Sequence, residues 1–192
     1  METRDAIMAR RSIRAYQDRP VGDEDLRDIL EAGTAAPSGV NLQPWFFVAL
    51  RSREQLDRLA EVMDRVSARI EPDLQSRFGK HPEVVAETTR FVRKLGGAPV
   101  CILAFWYKPD YENKADAVTL SIAAAMENIL LAAADKGLGS CWLTAPAEAG
   151  VGDELRDLFA PGKGPLAAML TLGYPDQRPK APPRKEGRYL IL

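Results

Sequence analysis

Arg10-Arg11-Ser12-Ile13-Arg14 places three guanidiniums and one hydroxyl in five consecutive positions. Arginine stays charged at physiological pH and presents a planar fork of N–H donors matched to phosphate and carbonyl oxygens. In an extended segment side chains alternate, so Arg10, Ser12 and Arg14 would share one face. That face suits a ligand that is anionic at one end and rich in acceptors at the other. A solvated basic face or a nonspecific anion patch has the same signature, so the rest of the chain must decide.

Flavin mononucleotide (FMN) is one ligand of that description, with a phosphate dianion, a ribityl chain and a ring bearing acceptors at N1, O2, O4 and N5. Few other chemistries have residues to run on. His81 is the only histidine, which excludes two-histidine metal sites and leaves any nucleophilic triad dependent on one residue in a polar run. Cys101 and Cys141 lie in apolar runs and match no zinc or CxxC spacing, so they read as small buried hydrophobes and no metal site is expected. Chemistry on this chain would therefore rest on a bound cofactor. The formal net charge is −1, from 26 basic and 27 acidic residues, so any positive site is local and no nucleic-acid partner is expected. The N-terminus has no signal-peptide core, and the apolar stretch from Ile122 to Ala134 is interrupted by Glu127 and Asn128, too short to span a bilayer. The expectation is a cytoplasmic protein with no membrane partner.

The elements that must position these residues follow from periodicity and breakers. Helices are expected at Thr3 to Ala9 and from Asp23 to about Gly33, with Leu26, Ile29 and Leu30 inward. Ala36 to Pro44 is a loop dense in breakers and amide side chains. Trp45 to Leu50 reads as a strand, with Trp45 in the core. Ser52 and Gln55 form a capping box opening a helix with Leu56, Leu59, Val62 and Met63 on one side. Ile70 to Gly97 reads as one or two loosely packed helices. Ala98 to Tyr107 is a central strand, and Lys114 to Lys136 an alanine-rich helix for a core or a subunit interface. Leu138 to Thr144 and Leu166 to Tyr174 are strands flanking a helix at Val151 to Phe159. The tail is rich in proline and basic residues yet ends in the apolar Tyr189-Leu190-Ile191-Leu192. It is either a frayed terminus or an arm that adds a strand to a partner subunit. No linker divides the chain, so residues 1–192 read as one domain.

Four segments in order carry a resemblance: Arg10-Arg11-Ser12-Ile13-Arg14, then Ala36-Pro37-Ser38-Gly39-Val40-Asn41-Leu42-Gln43-Pro44-Trp45, then Gly137-Leu138-Gly139-Ser140-Cys141-Trp142, and Gly173-Tyr174-Pro175 with the tail from Pro179 to Lys185. Together they resemble the short form of the FMN-dependent nitroreductase family. The resemblance implies an α+β fold with a mixed, mostly antiparallel sheet wrapped by helices, in a homodimer with exchanged C-terminal arms. It implies tightly bound FMN at the dimer interface, contacted by Arg10, Arg11, Ser12 and Arg14 of one subunit and by Pro37, Ser38, Gly39 and Asn41 of the other. Gln43 belongs to the same loop and either meets the ring or only ties the loop down. Thr144, Ala145 and Pro146 match the segment passing the reactive face, and Arg184 matches a basic tail residue at the phosphate.

The implied activity is a ping-pong oxidoreductase. NADH or NADPH reduces FMN at N5, and a small electron-poor acceptor (a nitroaromatic, quinone or activated alkene) reoxidises it, with no catalytic side chain required. Alternatives are an FMN-fragmenting or reductively dehalogenating member of the superfamily, or a non-catalytic flavin-binding protein. The chain departs from the family pattern at Gly39, often a serine, and at Ala145-Pro146-Ala147-Glu148, where an acidic residue and glycine are common. Residues 69–91 resemble the variable cover over the flavin, where acceptor choice is expected to lie.

Overall fold

In a computed structural model, which describes residues 2–111 and 114–192, a four-stranded antiparallel sheet runs in the order β1-β2-β4-β3. The strands are β1 (Trp45–Leu50), β2 (Val100–Trp106), β3 (Gly139–Leu143) and β4 (Leu166–Gly173). The one parallel pairing among the described residues is a single bridge between Ser12 and Ser140, outside the strands proper. The fold is α+β.

The continuous apolar run of β2 follows from burial on both faces. Alternate residues go to opposite sides. Val100, Ile102 and Ala104 pack with Leu26 and Ile29 of α2 (Asp23–Thr34) and with Ile122, Met126 and Ile129 of α5 (Ala115–Asp135). Cys101, Leu103 and Phe105 pack with Leu59 and Met63 of α3 (Arg53–Phe78), with Phe91 and Val92 of α4 (Pro82–Lys94), and with Leu155 of α7 (Gly152–Phe159). Two short helices complete the set: α1 (Thr3–Ala9) before the arginine cluster and α6 (Ala145–Glu148) after β3.

Two expectations need correction. The helix opened by the Ser52–Gln55 capping box does not give way to a separate loose segment at Ile70; it runs 26 residues to Phe78, straight through Pro72. Pro72 lies on the exposed side of α3, where its lost backbone bond leaves no buried carbonyl unpaired. The helix is also tied to α4, by Ser67 Oγ donating to the Thr89 carbonyl at 2.9 Å and by the Arg93–Asp64 ion pair at 2.9 Å. The second correction concerns the apolar stretch inside α5. The whole helix is 21 residues, long and apolar enough to cross a membrane by length and composition. Its burial between α2 and the sheet accounts for that composition as a core helix. Gly33 on α2 permits the close crossing, since a Cβ there would stand 2.7 Å from Ile129 Cγ1.

The segment from Ser12 to Tyr16 lies along the outer edge of β3. The Ile13 N–H donates to the Ser140 carbonyl at 2.9 Å. The buried Tyr16 hydroxyl donates to the Ile13 carbonyl at 2.6 Å and accepts from Thr171 Oγ1 at 2.7 Å. Ile13 rests on the bare backbone of Gly139, where a Cβ would meet Ile13 Cγ1 at 2.7 Å and Ile13 Cβ at 2.8 Å.

A methyl at Gly139 cannot be absorbed by a flexible chain end, because the atoms it meets lie next to the Ile13 backbone. Gly139→Ala should therefore destabilise the fold by about 1–3 kcal/mol in urea unfolding. Ile13→Ala in the same chain should recover part of that loss, a coupling read from the double-mutant cycle. The cysteines give a second expectation. Burial pushes the Cys101 thiol up to about 12 and raises that of Cys141. Both should stay protonated and unreactive to a disulfide reagent at pH 8 in the folded protein, and both should titrate once it is unfolded.

Candidate functional site

The arginine cluster begins where α1 ends. Arg11 turns back, donating from Nη1 to the Met8 and Arg10 carbonyls at 2.7 Å each, which caps the helix with a cation. Arg10 Nε stands 3.6 Å from Glu127 of α5. Arg14 lies beyond the anchor residue Ile13, its guanidinium 5.8 Å from the Phe91 ring centre. Simple alternation would send Arg11 to the opposite face from Arg10, Ser12 and Arg14. Instead all four border one cavity, because burial of Ile13 and Tyr16 spaces the inward positions by three.

That cavity has a volume of about 340 Å³ and is closed on its far side by the tail, through Lys180 and Arg184. The tail is guided there by its first residues. Gln17 N–H donates to the Tyr174 carbonyl and Asp176 N–H to the Ala15 carbonyl, both at 2.9 Å. Residues from the two ends of the chain thus converge on one strongly cationic cavity, a donor set suited to a phosphate dianion.

Arg14 also borders a second cavity of about 510 Å³, lined by Phe91, Trp142, Thr144, Ala145 and Glu148 and by the α3 face carrying Arg69, Asp73 and Arg77. Cys141 lies on its wall; burial raises its thiol, partly offset by Arg14 and by a hydrogen bond with Ser12. Thr144 Oγ1 donates to Glu148 Oε1 at 2.7 Å, so the acid near the end of α6 is held by the residue that precedes that helix. Pro146 is buried in α6 and borders neither cavity.

The loop of residues 37–43 stands apart. Pro37, Ser38, Gly39 and Asn41 border neither cavity in the single chain. Gly39 N–H reaches Ser121 Oγ of α5 at 3.4 Å. Ser38 Oγ accepts from Gln43 N–H at 2.9 Å, and Gln43 Nε2 donates to Asn41 Oδ1 at 3.0 Å. Gln43 therefore ties the loop down and leaves the Asn41 amide donors outward. Val40, Asn41 and Gln43 have φ of 49°, 54° and 47°. Left-handed backbone at a β-branched residue costs on the order of 1–3 kcal/mol, and Val40 is 88% exposed there.

Of the residues picked out in the sequence, Arg10, Arg11, Ser12, Arg14 and Arg184 come together, and Thr144 and Ala145 meet Arg14 across the second cavity. Lys180 was missed, although it is a cation in the same proline-rich segment as Arg184. Of the two phenylalanines in the expected cover, Phe91 lines the second cavity and Phe78 does not. Trp45 is in the core, and His81 is exposed at the start of α4, paired with Glu83 at 3.3 Å.

The chain is 32% identical over 176 residues to a protein of Archaeoglobus fulgidus named as a candidate NADH dehydrogenase/NAD(P)H nitroreductase, covering 88% of this chain and 83% of that one. Among solved structures, it resembles a BluB-like flavoprotein of Clostridium difficile at 29% identity, with a TM-score of 0.76 over 96% of this chain and 95% of that one. A nitroreductase with bound FMN from Bacteroides fragilis matches at 27% identity, with a TM-score of 0.75 over 100% and 99% of the two chains. The model of the nitroreductase family matches residues 7–174. With the arginine cluster, the loop and the sheet all inside that match, the chain belongs to the nitroreductase family.

Proposed function

We propose that this protein binds FMN across the two cavities that share Arg14 and transfers two electrons, by a ping-pong mechanism, from NADH or NADPH to a small electron-poor acceptor. The observation that carries this reading is the convergence of Arg10, Arg11, Ser12 and Arg14 with Lys180 and Arg184 on one cavity. The names of the similar proteins, an NAD(P)H nitroreductase and an FMN-bound nitroreductase among them, support it.

The donor set fits the group. Arg10, Arg184 and Lys180 would hold the phosphate, each charge-assisted bond contributing about 1.5–3 kcal/mol. Ser12 would meet the ribityl chain. Arg14, standing between the cavities, would lie at the N1/O2 edge, where a cation stabilises negative charge developed on reduction. Thr144 and Ala145 would shape the path along the reactive face, whereas Pro146, expected beside them, is buried in α6 and would only hold that turn in place. When bound, FMN would supply the redox chemistry, as hydride acceptor for the nicotinamide and two-electron donor to a nitroaromatic, quinone or activated alkene. The chain's residues bind, orient and exclude water; protons come from solvent, so no side chain need act as acid or base.

The reading includes a homodimer. In one chain the loop of Pro37, Ser38, Gly39 and Asn41 is separate from the arginine cluster, and a second copy would supply it to the ring. Tyr189, Leu190, Ile191 and Leu192 are all at least 79% exposed, and Leu120 on α5 is 72% exposed. Among the described residues β1 pairs only with β2 and so leaves a free edge. Beside it lies a cavity of about 800 Å³ whose apolar wall of Leu30, Trp45, Phe47 and Tyr111 is rimmed by charged residues, Arg27, Glu31 and Arg51 among them. The tail's last residues suit that edge on the partner, by strand addition.

The purified protein should show a flavin absorbance spectrum that bleaches anaerobically with NADH or NADPH and recovers on adding a quinone. Colour that neither donor bleaches would favour a non-catalytic flavin-binding protein. A benzimidazole product on aeration would point to FMN fragmentation, and halide release from a halogenated tyrosine to dehalogenation. Arg10→Ala with Arg184→Ala should weaken FMN retention by at least about tenfold, measured by fluorescence of released flavin. Deleting residues 187–192 should shift the protein from dimer toward monomer in sedimentation; an unchanged dimer would remove the arm from the proposal.

A further inference from the structure

The second cavity contains more charge than flavin binding requires. Three guanidiniums (Arg14, Arg69 and Arg77) and two carboxylates (Asp73 and Glu148) border it. Arg69, Asp73 and Arg77 follow one another at intervals of four along α3 and therefore project on one face. Arg77 Nη1 is paired with Asp73 at 3.3 Å. Glu148 accepts from Thr144. Arg69 differs: its Nη1 donates to the Ala149 carbonyl at 2.8 Å, an acceptor that carries no charge, and among the described residues no carboxylate lies within ion-pair distance of it.

That single bond does more than satisfy one N–H. It fixes the guanidinium from α3 to the residue after α6, across the cavity, and leaves Nε and Nη2 as donors. A fixed fork with free donors is suited to a carboxylate. The walls beside it, Phe91 and Trp142, suit a flat conjugated ring.

We infer that Arg69 selects acceptors bearing a carboxylate, so that this chain reduces electron-poor aromatic or conjugated acids in preference to their neutral congeners. The inference rests on the proposed flavin site, since Arg14 is assigned there to the ring and Arg69 to the second ligand. Glu148 opposes the same anion: it is next in sequence to the residue that tethers Arg69. Its removal should act in the reverse direction.

The test compares 4-nitrobenzoate with 4-nitrobenzamide, by calorimetric binding to the oxidised holoprotein and by single-turnover reoxidation of the NADH-reduced protein. Arg69→Gln should weaken 4-nitrobenzoate binding by roughly three- to tenfold and leave 4-nitrobenzamide unchanged. Arg69→Lys should restore part of the loss, Glu148→Gln should tighten the acid only, and added salt should shrink the difference. Equal weakening of both compounds, or of neither, would overturn the inference. So would a loss confined to the reductive half-reaction with NADH or NADPH, which would assign Arg69 to the donor's phosphates. If the protein proves to hold no FMN, the functional proposal fails by its absorbance spectrum, whereas calorimetry with the two compounds still decides whether Arg69 recognises a carboxylate.

Discussion

The seating of Ile13 on the bare backbone of Gly139 is the contact on which the candidate site depends. It brings a non-regular segment against the edge of β3, and the Tyr16–Thr171 hydrogen bond closes that attachment from inside the core. Arg10, Arg11, Ser12 and Arg14 are held on either side of the anchor. Three like charges over five residues would otherwise favour an open, solvated segment. Burying Ile13 and Tyr16 between and beyond them offsets that tendency, and the Arg11 side chain is itself absorbed by the end of α1. The cations are thereby presented as a wall and not as a loose basic patch.

The sheet explains why the second cavity lies where it does. β2 is buried on both faces, so no ligand can approach its centre. β3 is an edge strand, and the chain leaving it at Thr144 turns at once into α6. The space between that turn, the arginine segment and α3 with α4 is what remains after both cores are filled. The same two-faced burial makes α5 apolar around much of its circumference: one side meets the sheet and α2, while its exposed residues include Leu120.

Electrostatics here are local. The whole chain is nearly neutral, yet the first cavity gathers cations from both chain ends. Lys136 shows the opposite arrangement: its ammonium bonds Asp25 at 2.9 Å and Asp28 at 2.7 Å, fastening the end of α5 to α2. Those partners raise its pKa, but the pairs only join helices. What distinguishes the cavity cations is geometry: they face a shared volume, and among the described residues only Arg10 has a carboxylate within ion-pair distance.

Much of this was legible in the sequence because it is written in local pattern. The capping box at Ser52, the apolar run of β2, the breakers from Ala36 to Pro44 and the spacing of the arginine, loop and tail segments each follow from short-range chemistry, and together they marked the family. The continuation of α3 through Pro72 was not legible, since local rules favour a break and the helix is held by tertiary contacts to α4, α7 and the residue after α6. Strand alternation alone would have turned Arg11 away; the family resemblance placed it at the site, and its position in the cavity depends on where Ile13 and Tyr16 find burial. Lys180 and Arg69 carry no local signal that separates them from other exposed cations. Their meaning arises from what stands opposite them, and that is fixed by contacts between residues far apart in the chain. Residue types and their order thus determined the family, the fold class and the cationic character of the site. Tertiary packing decided which cations share a cavity and which remain without a charge partner, because a side chain's surroundings depend on the folded neighbours that only long-range burial brings to it.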